Sequence, residues 1–244
     1  MKRAILAELL AARHARKPFA LVTVLASGRQ TIIYPDTGAA TAALGVDTMN
    51  IAQDALREDR SGTFETADGT LFIHVFSPPP RLFIVGAVHI AQALAPMARL
   101  AGYQVIVIDP RQAFATAERF PSCELVTQWP NRALPQLAPD RRTAVVTLTH
   151  DQKLDEPALM AALQSDAFYI GALGSKKTQA ARRQRLAESG CDEQALARIH
   201  GPAGLDLGAK TAAEIAISIM AQVTQALRQA YLSCARMEQH RQQL

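Results

Sequence analysis

The sequence predicts an α/β protein in which a Rossmann-like parallel-sheet domain follows a small α+β N-terminal domain. From residue 81 onward, short apolar segments alternate with helix-like segments, an order typical of parallel sheets. The stretch 81–109 has the pattern strand, tight turn, helix, strand and ends in Asp109, as dinucleotide-binding units do. With 244 residues, 49% of them hydrophobic, the chain is long enough for two domains with cores of their own.

The first domain is expected to span residues 1–77. Its first helix should bury one apolar face, formed by Ile5, Leu6, Leu9 and Leu10. The pair Asp68-Gly69 is a strong signal for the turn of a β-hairpin. A stiff linker over 78–80 ends the domain, because three successive prolines continue neither a helix nor a strand. The expected order is helix, two strands, helix and hairpin, at 4–16, 19–26, 31–34, 48–60, 63–66 and 71–76.

The second domain is expected to span 81–244. Five strands are predicted at 82–85, 105–108, 124–128, 143–147 and 167–170. Helices are predicted at 87–100, 131–137, 156–164 and 176–188, with a long last helix from a capping box at 211–214 to about residue 230. The polar end, from Ala235, is expected to fray. Because ligands bind at the carboxyl ends of parallel strands, chemistry is expected in the loops that follow them.

Composition excludes several classes of protein. The net charge of +4 is too small to indicate nucleic acid binding by itself. Three cysteines without a CxxC pair indicate neither a disulfide framework nor a zinc site, which favours a reducing cytoplasm. No run of 18 apolar residues predicts a membrane span, and the basic N-terminus is interpreted as an amphipathic helix rather than a signal peptide.

The first turn of the second domain keeps only part of the dinucleotide fingerprint G-x-G-x-x-G. Gly86 is present, but Val88 replaces the glycine that normally lets the backbone approach a pyrophosphate, and Ala91 replaces the third. Ordinary nicotinamide binding is therefore weakly indicated. The start of a helix still suits an anion, so the turn residues are candidate ligand contacts, the alternative being a plain strand-to-helix turn. These candidates are Gly86, Ala87, Val88, His89 and Ile90.

Asp109 and Arg111 follow the second strand of this domain. In NAD-binding folds a carboxylate in this position binds the ribose hydroxyls. Alternatively, Asp109 caps the turn that follows it. Arg111 is placed either to meet a phosphate or to pair with Asp109, and the spacing does not choose between these interpretations.

Thr149 and His150 follow the fourth strand, again at a carboxyl end. His150 beside Asp151 is a candidate acid–base pair or metal ligand pair. The alternative is a surface histidine with Asp151 or Asp155 as a helix cap. No H-x-x-H or H-E-x-x-H spacing supports a metal.

A second candidate anion site follows the fifth strand. Two glycines free the backbone, Ser175 is a natural N-cap, and two lysines occupy the first helical turn, where they oppose the helix dipole unless an anion binds there. The candidates are Gly171, Gly174, Ser175, Lys176 and Lys177. Arg182, Arg183 and Arg185 further along this helix are interpreted as a solvated face.

His200 begins a glycine-spaced loop, 200–208, before the last helix. Its three glycines and proline indicate a defined backbone path. The loop either closes the edge of the sheet or covers a ligand. No catalytic residue is predicted, because the sequence offers no G-x-S-x-G, no Cys/His pairing and no convincing carboxylate pair.

Four segments together resemble the C-terminal Rossmann-type domain of the XdhC/CoxI family. They are VIDPRQAFATAERFP, THDQKLDEPAL, YIGALGSKKTQAARRQRL and RIHGPAGLDLGAKTAAEIAISIMAQV, in this order within residues 82–223. The resemblance implies an accessory protein for molybdenum hydroxylases such as xanthine dehydrogenase or CO dehydrogenase. It implies binding of the molybdenum cofactor, as molybdopterin or its dinucleotide, and assistance in its sulfuration and insertion. It also implies contacts with the apo-enzyme and a cysteine desulfurase, and allows a homodimer.

The chain departs from that family in one respect. Many members have a glycine-rich segment with a cysteine in the N-terminal domain, whereas the comparable stretch here, 37–45, has none. A cofactor-binding maturation factor is the leading hypothesis and favours a non-enzyme. An NAD(P)-dependent oxidoreductase and a docking module without a ligand remain the alternatives.

Overall fold

A computed structural model of the chain describes residues 3–35, 45–67 and 69–241, with side chains up to residue 229. The chain divides into two compact units, Met1–Pro78 with Gln229–Leu244 and Pro79–Arg228. The glycine-rich stretch 37–45 lies outside the described residues except for Gly45, and Asp68 of the predicted turn also lies outside them.

The first unit is an α+β unit with a four-stranded antiparallel sheet in the order β2-β1-β4-β3. Its strands are β1 (Phe19–Val24), β2 (Arg29–Ile33), β3 (Gly62–Thr66) and β4 (Gly69–Phe76). Its helices are α1 (Arg3–His14) and α2 (Val46–Arg57).

Both faces of the sheet in the first unit are covered, because β1 alternates its apolar side chains between them. Ala20, Val22 and Val24 share one buried cluster with residues of α2, and Phe19 and Leu21 share another with residues of α1. The predicted apolar face of α1 is partly wrong. Leu9 and Ala12 are buried and Ile5 packs against them, whereas Leu6 and Leu10 are 41% and 54% exposed. The buried positions follow the i, i+4, i+7 spacing of one helix face.

The second unit contains a six-stranded parallel sheet in the order β10-β9-β8-β5-β6-β7. Its strands are β5 (Arg81–Val85), β6 (Gln104–Ile108), β7 (Glu124–Val126), β8 (Thr143–Thr147), β9 (Tyr169–Ala172) and β10 (Ile199–His200). Its helices are α3 (His89–Leu100), α4 (Pro130–Leu137), α5 (Gln152–Leu163), α6 (Lys176–Glu188), α7 (Glu193–Leu196) and α8 (Ala212–Arg241). The predicted α/β class is therefore confirmed.

The central strands of this sheet are apolar along their length because they are buried on both faces. Every residue of β8 is buried, and so are Leu82 to Val85 of β5. One cluster joins strand residues such as Phe83 and Val145 to helix residues such as Leu134 and Leu159. This core fixes the strand ends, and with them the loops at the carboxyl edge.

Several predicted boundaries were wrong. Helix α5 begins at Gln152 rather than at 156, and β9 ends at Ala172, so Gly171 lies in a strand and not in a turn. Helix α7 and the two-residue strand β10 were not predicted. Helix α8 extends to Arg241, past the residue where fraying was expected. No described helix is long and apolar enough to cross a membrane.

Candidate anion-binding site at the carboxyl edge of the parallel sheet

The order of the strands reverses between β5 and β8, which are neighbours in the sheet. From β5 the chain moves outward through β6 and β7, then returns to place β8 on the other side of β5. Loops leave the two neighbouring strands in opposite directions at such a point and open a crevice in which ligands bind. The turn after β5 and the segment 148–151 after β8 flank this crevice.

Gly86 sets the shape of the turn after β5. Its φ of +108° belongs to a region that L side chains rarely adopt, and its N–H donates to the carbonyl oxygen of Ile108 over 2.9 Å. A Cβ here would lie 2.4 Å from Cγ2 of Thr149. The turn after β5 therefore contacts the segment after β8, and only glycine permits this approach.

Helix α3 begins directly after this turn without a side-chain cap. Val88 is its N-cap residue, in an extended conformation, and supplies no hydrogen bond to the first turn. His89 is exposed and Ile90 half-buried at the start of the helix. The N–H groups of a first helical turn have no intrahelical partners, so this helix start is suited to an anion.

Asp109 is completely buried and accepts four hydrogen bonds. Its Oδ2 accepts from the N–H of Ala87 (2.8 Å) and from Nη2 of Arg111 (2.7 Å). Its Oδ1 accepts from the backbone N–H (3.0 Å) and Nε (2.9 Å) of Arg111. Burial alone would raise the pKa of Asp109, but the hydrogen bonds from Arg111 and Ala87 outweigh it and hold that pKa below its ordinary value. Asp109 thus both caps its turn and pairs with Arg111.

The loop after β6 carries an exposed aromatic side chain between two arginines. The guanidinium carbon of Arg111 lies 4.7 Å from the ring centroid of Phe114, and that of Arg119 lies 5.7 Å from it. Arg119 also donates to Oε1 of Gln92 on α3 over 3.0 Å. The loop is thereby tied to the helix whose start borders the crevice.

The segment after β8 is organised around Thr149. Its Oγ1 donates to Oδ1 of Asp155 over 2.6 Å, and Asp151 caps α5 by accepting from the N–H of Lys153 over 2.9 Å. His150 between them is exposed and has a φ of +60°, an uncommon conformation for a side-chain-bearing residue. His150 therefore borders the crevice, while Asp151 serves as the helix cap.

Arg182 was expected on a solvated face and is instead buried. It donates to the carbonyl oxygen of Leu173 (3.1 Å) and to Oε1 of Gln179 (2.8 Å), and pairs with Oδ2 of Asp155 at 3.4 Å. Desolvation lowers the pKa of Arg182 and raises that of Asp155. The pair thus links the loop after β8 to the loop after β9. Arg183 and Arg185, by contrast, pair with Glu193 and Glu156 nearer the surface.

A periodicity signal in the sequence could have identified the buried pair. Asp155 shares a helix stripe with Leu159 and Ala162, which are buried apolar residues, and Arg182 shares one with Leu186. A charged residue on an apolar stripe indicates a buried ion pair. Gln179 was also missed. Its Nε2 donates to the carbonyl oxygen of Ala172 over 2.8 Å.

The second predicted anion site is only partly as expected. Ser175 is the N-cap of α6 and accepts from the N–H of Thr178 over 3.2 Å, so one donor of this helix start is already used. Lys176 and Lys177 are exposed in the first turn, and Gly174 has a φ of +133°. Gly171 faces Tyr169, whose ring lies 2.7 Å from where a Cβ would be. Gly171 is therefore a packing residue of β9.

His200 lies in β10, on the far side of β9 from the crevice. Its ring stacks on Tyr169 with centroids 4.7 Å apart, and burial lowers the pKa of the imidazole. The hydroxyl of Tyr169 donates to Oε1 of Gln222 over 2.6 Å, and the N–H of Gly204 donates to the same atom over 2.7 Å. These contacts hold the loop after β10 against α8.

The site as a whole offers donors for an anion rather than groups for catalysis. Among the residues that the structure describes, no three His, Cys, Asp or Glu side chains converge as metal ligands would. Cys123 and Cys191 are free thiols whose pKa values are raised, chiefly by burial, so neither is an activated nucleophile.

Comparison with known proteins identifies the parallel-sheet unit. Residues 82–223 match a family model described as the XdhC Rossmann domain. The chain is 33% identical over 156 residues to a probable subunit of the xanthine dehydrogenase of Bacillus subtilis (strain 168), covering 64% of this chain and 45% of the relative. It is 34% identical over 148 residues to the molybdenum cofactor insertion chaperone PaoD of Escherichia coli (strain K12), covering 61% and 40%.

Two further comparisons concern length and fold. The uncharacterized protein YqeB of Escherichia coli (strain K12) is 30% identical over 172 residues, covering 70% of this chain and 31% of the relative. The chain thus spans less than half the length of these three relatives. A crystal structure described as a xanthine dehydrogenase from Bacillus halodurans has the same fold, with a TM-score of 0.68 and 24% identity over 93% of this chain and 65% of the other.

Proposed function

This chain belongs to the XdhC family, and from that membership we propose that it assists the maturation of a molybdenum hydroxylase by binding the molybdenum cofactor and helping to insert it. Two relatives are named for xanthine dehydrogenase and for insertion of this cofactor, which supports the proposal. The cofactor is the cargo of the protein in this scheme. Sulfuration of the cofactor, an apo-hydroxylase, a cysteine desulfurase and a homodimer belong to the same proposal.

The observation that supports cargo binding most directly is the uncapped start of α3 at the point where the strand order reverses. Molybdopterin carries a phosphate, and its dinucleotide form a pyrophosphate. Backbone N–H groups and the positive end of the helix dipole are suited to such groups. The turn fits this use because Gly86 leaves no room for a side chain there.

The residues of this chain would share the work of holding and releasing the cargo. Val88, His89 and Ile90 supply the helix start that receives the phosphate, and exposed His150 faces the crevice from the opposite loop. Lys176 and Lys177 add positive charge at the start of α6. The proposal assigns no bond-making step to the protein.

The competing oxidoreductase hypothesis loses its main support. Asp109 was the residue that favoured nicotinamide binding, and its carboxylate is fully engaged by Arg111 and Ala87. The helix start is compatible with anions of several kinds, so the identity of the cargo rests on the family relatives.

The experiment that tests the proposal is native mass spectrometry of the full chain purified from a molybdenum-replete host. Acid–iodine oxidation of the released ligand would convert a bound pterin into a fluorescent product. We expect a pterin in near-stoichiometric amount. A nicotinamide dinucleotide in its place would overturn the proposal in favour of an oxidoreductase, and a protein without ligand that also fails to take up cofactor from a donor would favour a docking role.

A further inference from the structure

The position that holds the ribose in dinucleotide-binding folds is closed in this chain. Such folds use a carboxylate at the end of the second strand to accept hydrogen bonds from the ribose hydroxyls. Asp109 occupies that position after β6, but its side chain is completely buried. A carboxylate has about four acceptor positions, and the four hydrogen bonds to Asp109 fill them.

Arg111 is the residue whose side chain closes this position. Two of the four donors are backbone N–H groups, of Ala87 and Arg111, and remain whatever side chains are present. The other two are Nε and Nη2 of the Arg111 guanidinium, a forked pair at 2.9 and 2.7 Å. The Arg111 side chain is 38% exposed, whereas that of Asp109 is 0% exposed. A ligand entering here meets a cation stacked on Phe114 instead of a carboxylate.

We propose that Arg111 is a specificity residue that excludes ligands bound through a ribose diol and leaves this corner of the crevice to phosphate-bearing ligands. A diol placed here would present O–H donors to the N–H donors of a guanidinium, with no acceptor left. Sites with unpaired buried polar groups discriminate strongly between otherwise similar ligands. A phosphate oxygen, in contrast, accepts from the guanidinium. This inference does not depend on the identity of the cargo.

The test uses NADH as the probe, with binding followed by the enhancement of its fluorescence. The full-length variants are Arg111→Met, which keeps an apolar side chain against Phe114 and removes both side-chain donors, and Val88→Gly, which restores the fingerprint glycine. We expect no saturable binding by the wild type. The double variant should bind NADH about tenfold tighter or more than the wild type and than Val88→Gly alone.

Two controls identify Asp109 as the group that is released. Adding Asp109→Asn to the double variant should abolish the gained binding. Arg119→Met removes the other arginine beside Phe114 without touching Asp109, and should gain nothing. If Arg111→Met does not unfold cooperatively, Arg111→Lys replaces it, because an ammonium retains the charge beside Asp109 and fills fewer acceptor positions.

Either of two results would overturn the proposal. One is saturable NADH binding by the wild type that weakens when Arg111 is replaced. The other is folded double variants, with methionine or with lysine at position 111, that still bind no NADH. Because the probe is NADH in every arm, failure here is distinct from a failure to find a pterin in the purified protein.

Discussion

At the scale of single residues, two buried carboxylates fasten the loops of the carboxyl edge. Asp109 joins the turn after β5 to the loop after β6 through Ala87 and Arg111. Asp155 joins the segment after β8 to Arg182, which holds the loop after β9 through the carbonyl oxygen of Leu173. Charged groups buried in this way are retained only when they are paired. The geometry of the crevice therefore depends on pairs that contribute nothing to its exposed surface.

Replacing Arg182 by methionine should therefore destabilise the fold strongly. The change leaves Asp155 buried without its cationic partner, for which we expect a loss of about 3–5 kcal/mol in the free energy of unfolding. The matched control is Arg183→Met on the same helix, whose pair with Glu193 is exposed, with an expected loss of at most about 1 kcal/mol. Urea unfolding of both variants provides the comparison, and equal losses would contradict the buried pair.

The pairing of Asp109 should appear as a pH dependence of stability. Its pKa in the folded protein lies below the ordinary value of 3.8, so the ionised carboxylate stabilises the fold above that value, and this contribution is lost as the pH falls through the folded pKa. Asp109→Asn should cost about 3–5 kcal/mol at neutral pH, because Arg111 loses its anionic partner. The difference from the wild type should shrink on acidification toward the folded pKa. Urea unfolding at a series of pH values measures it, and a difference independent of pH would refute this assignment.

The close approach of Gly86 to Thr149 can be separated from the strain of its backbone. Gly102 also has a positive φ, +88°, but a Cβ there would meet nothing within 4 Å. Gly102→Ala should therefore cost only the conformational strain of about 1–2 kcal/mol. Gly86→Ala should cost clearly more, because its Cβ meets Cγ2 of Thr149 at 2.4 Å. Adding Thr149→Ser, which removes that methyl group, should recover part of the difference in thermal unfolding. No recovery would mean that the contact is not what requires glycine.

At the scale of elements, the two helices that start at the carboxyl edge differ in their first turns. Helix α6 has a serine cap, Ser175, that accepts from Thr178, whereas Val88 at the start of α3 accepts nothing. An uncapped helix start is less stable than a capped one. The residue that would stabilise α3 best in isolation is thus absent at the position where the proposed ligand binds.

This difference allows stability and ligand binding to be changed in opposite directions. Val88→Asp and Val88→Asn both supply a cap to α3 and should each stabilise the protein by about 0.5–2 kcal/mol in urea unfolding. Only aspartate adds a negative charge where an anion is proposed to bind. We therefore expect the pterin content of the purified protein to fall much further with aspartate than with asparagine. Equal content in the two variants would argue against an anion at this helix start.

At the scale of the whole molecule, local patterns predicted the order of the elements, and contacts distant in sequence decided the rest. Apolar strands, the tight turn at Gly86 and the alternation of strand and helix each depend on neighbouring residues, and they were sufficient for the fold class. Arg182 was misassigned because its partner, Asp155, lies 27 residues earlier in the chain. His200 was expected to line the cleft, but β10 extends the sheet at its edge and stacks this residue on Tyr169. Helix α8 extends to Arg241 although the polar sequence there suggested fraying.

The division of the chain after Pro78 makes a prediction about the second unit. All six strands of the parallel sheet and the buried cluster between its strands and helices come from residues 81 to 200. A fragment that begins at Pro79 and keeps the remainder of the chain should therefore fold without the first 78 residues. Trp129, the single tryptophan of the chain, lies at the start of α4 and reports on this unit. We expect its fluorescence to follow one cooperative urea transition in the fragment. A gradual change, with far-UV circular dichroism retained but near-UV signal lost, would mean that specific packing of this sheet requires residues before Pro79.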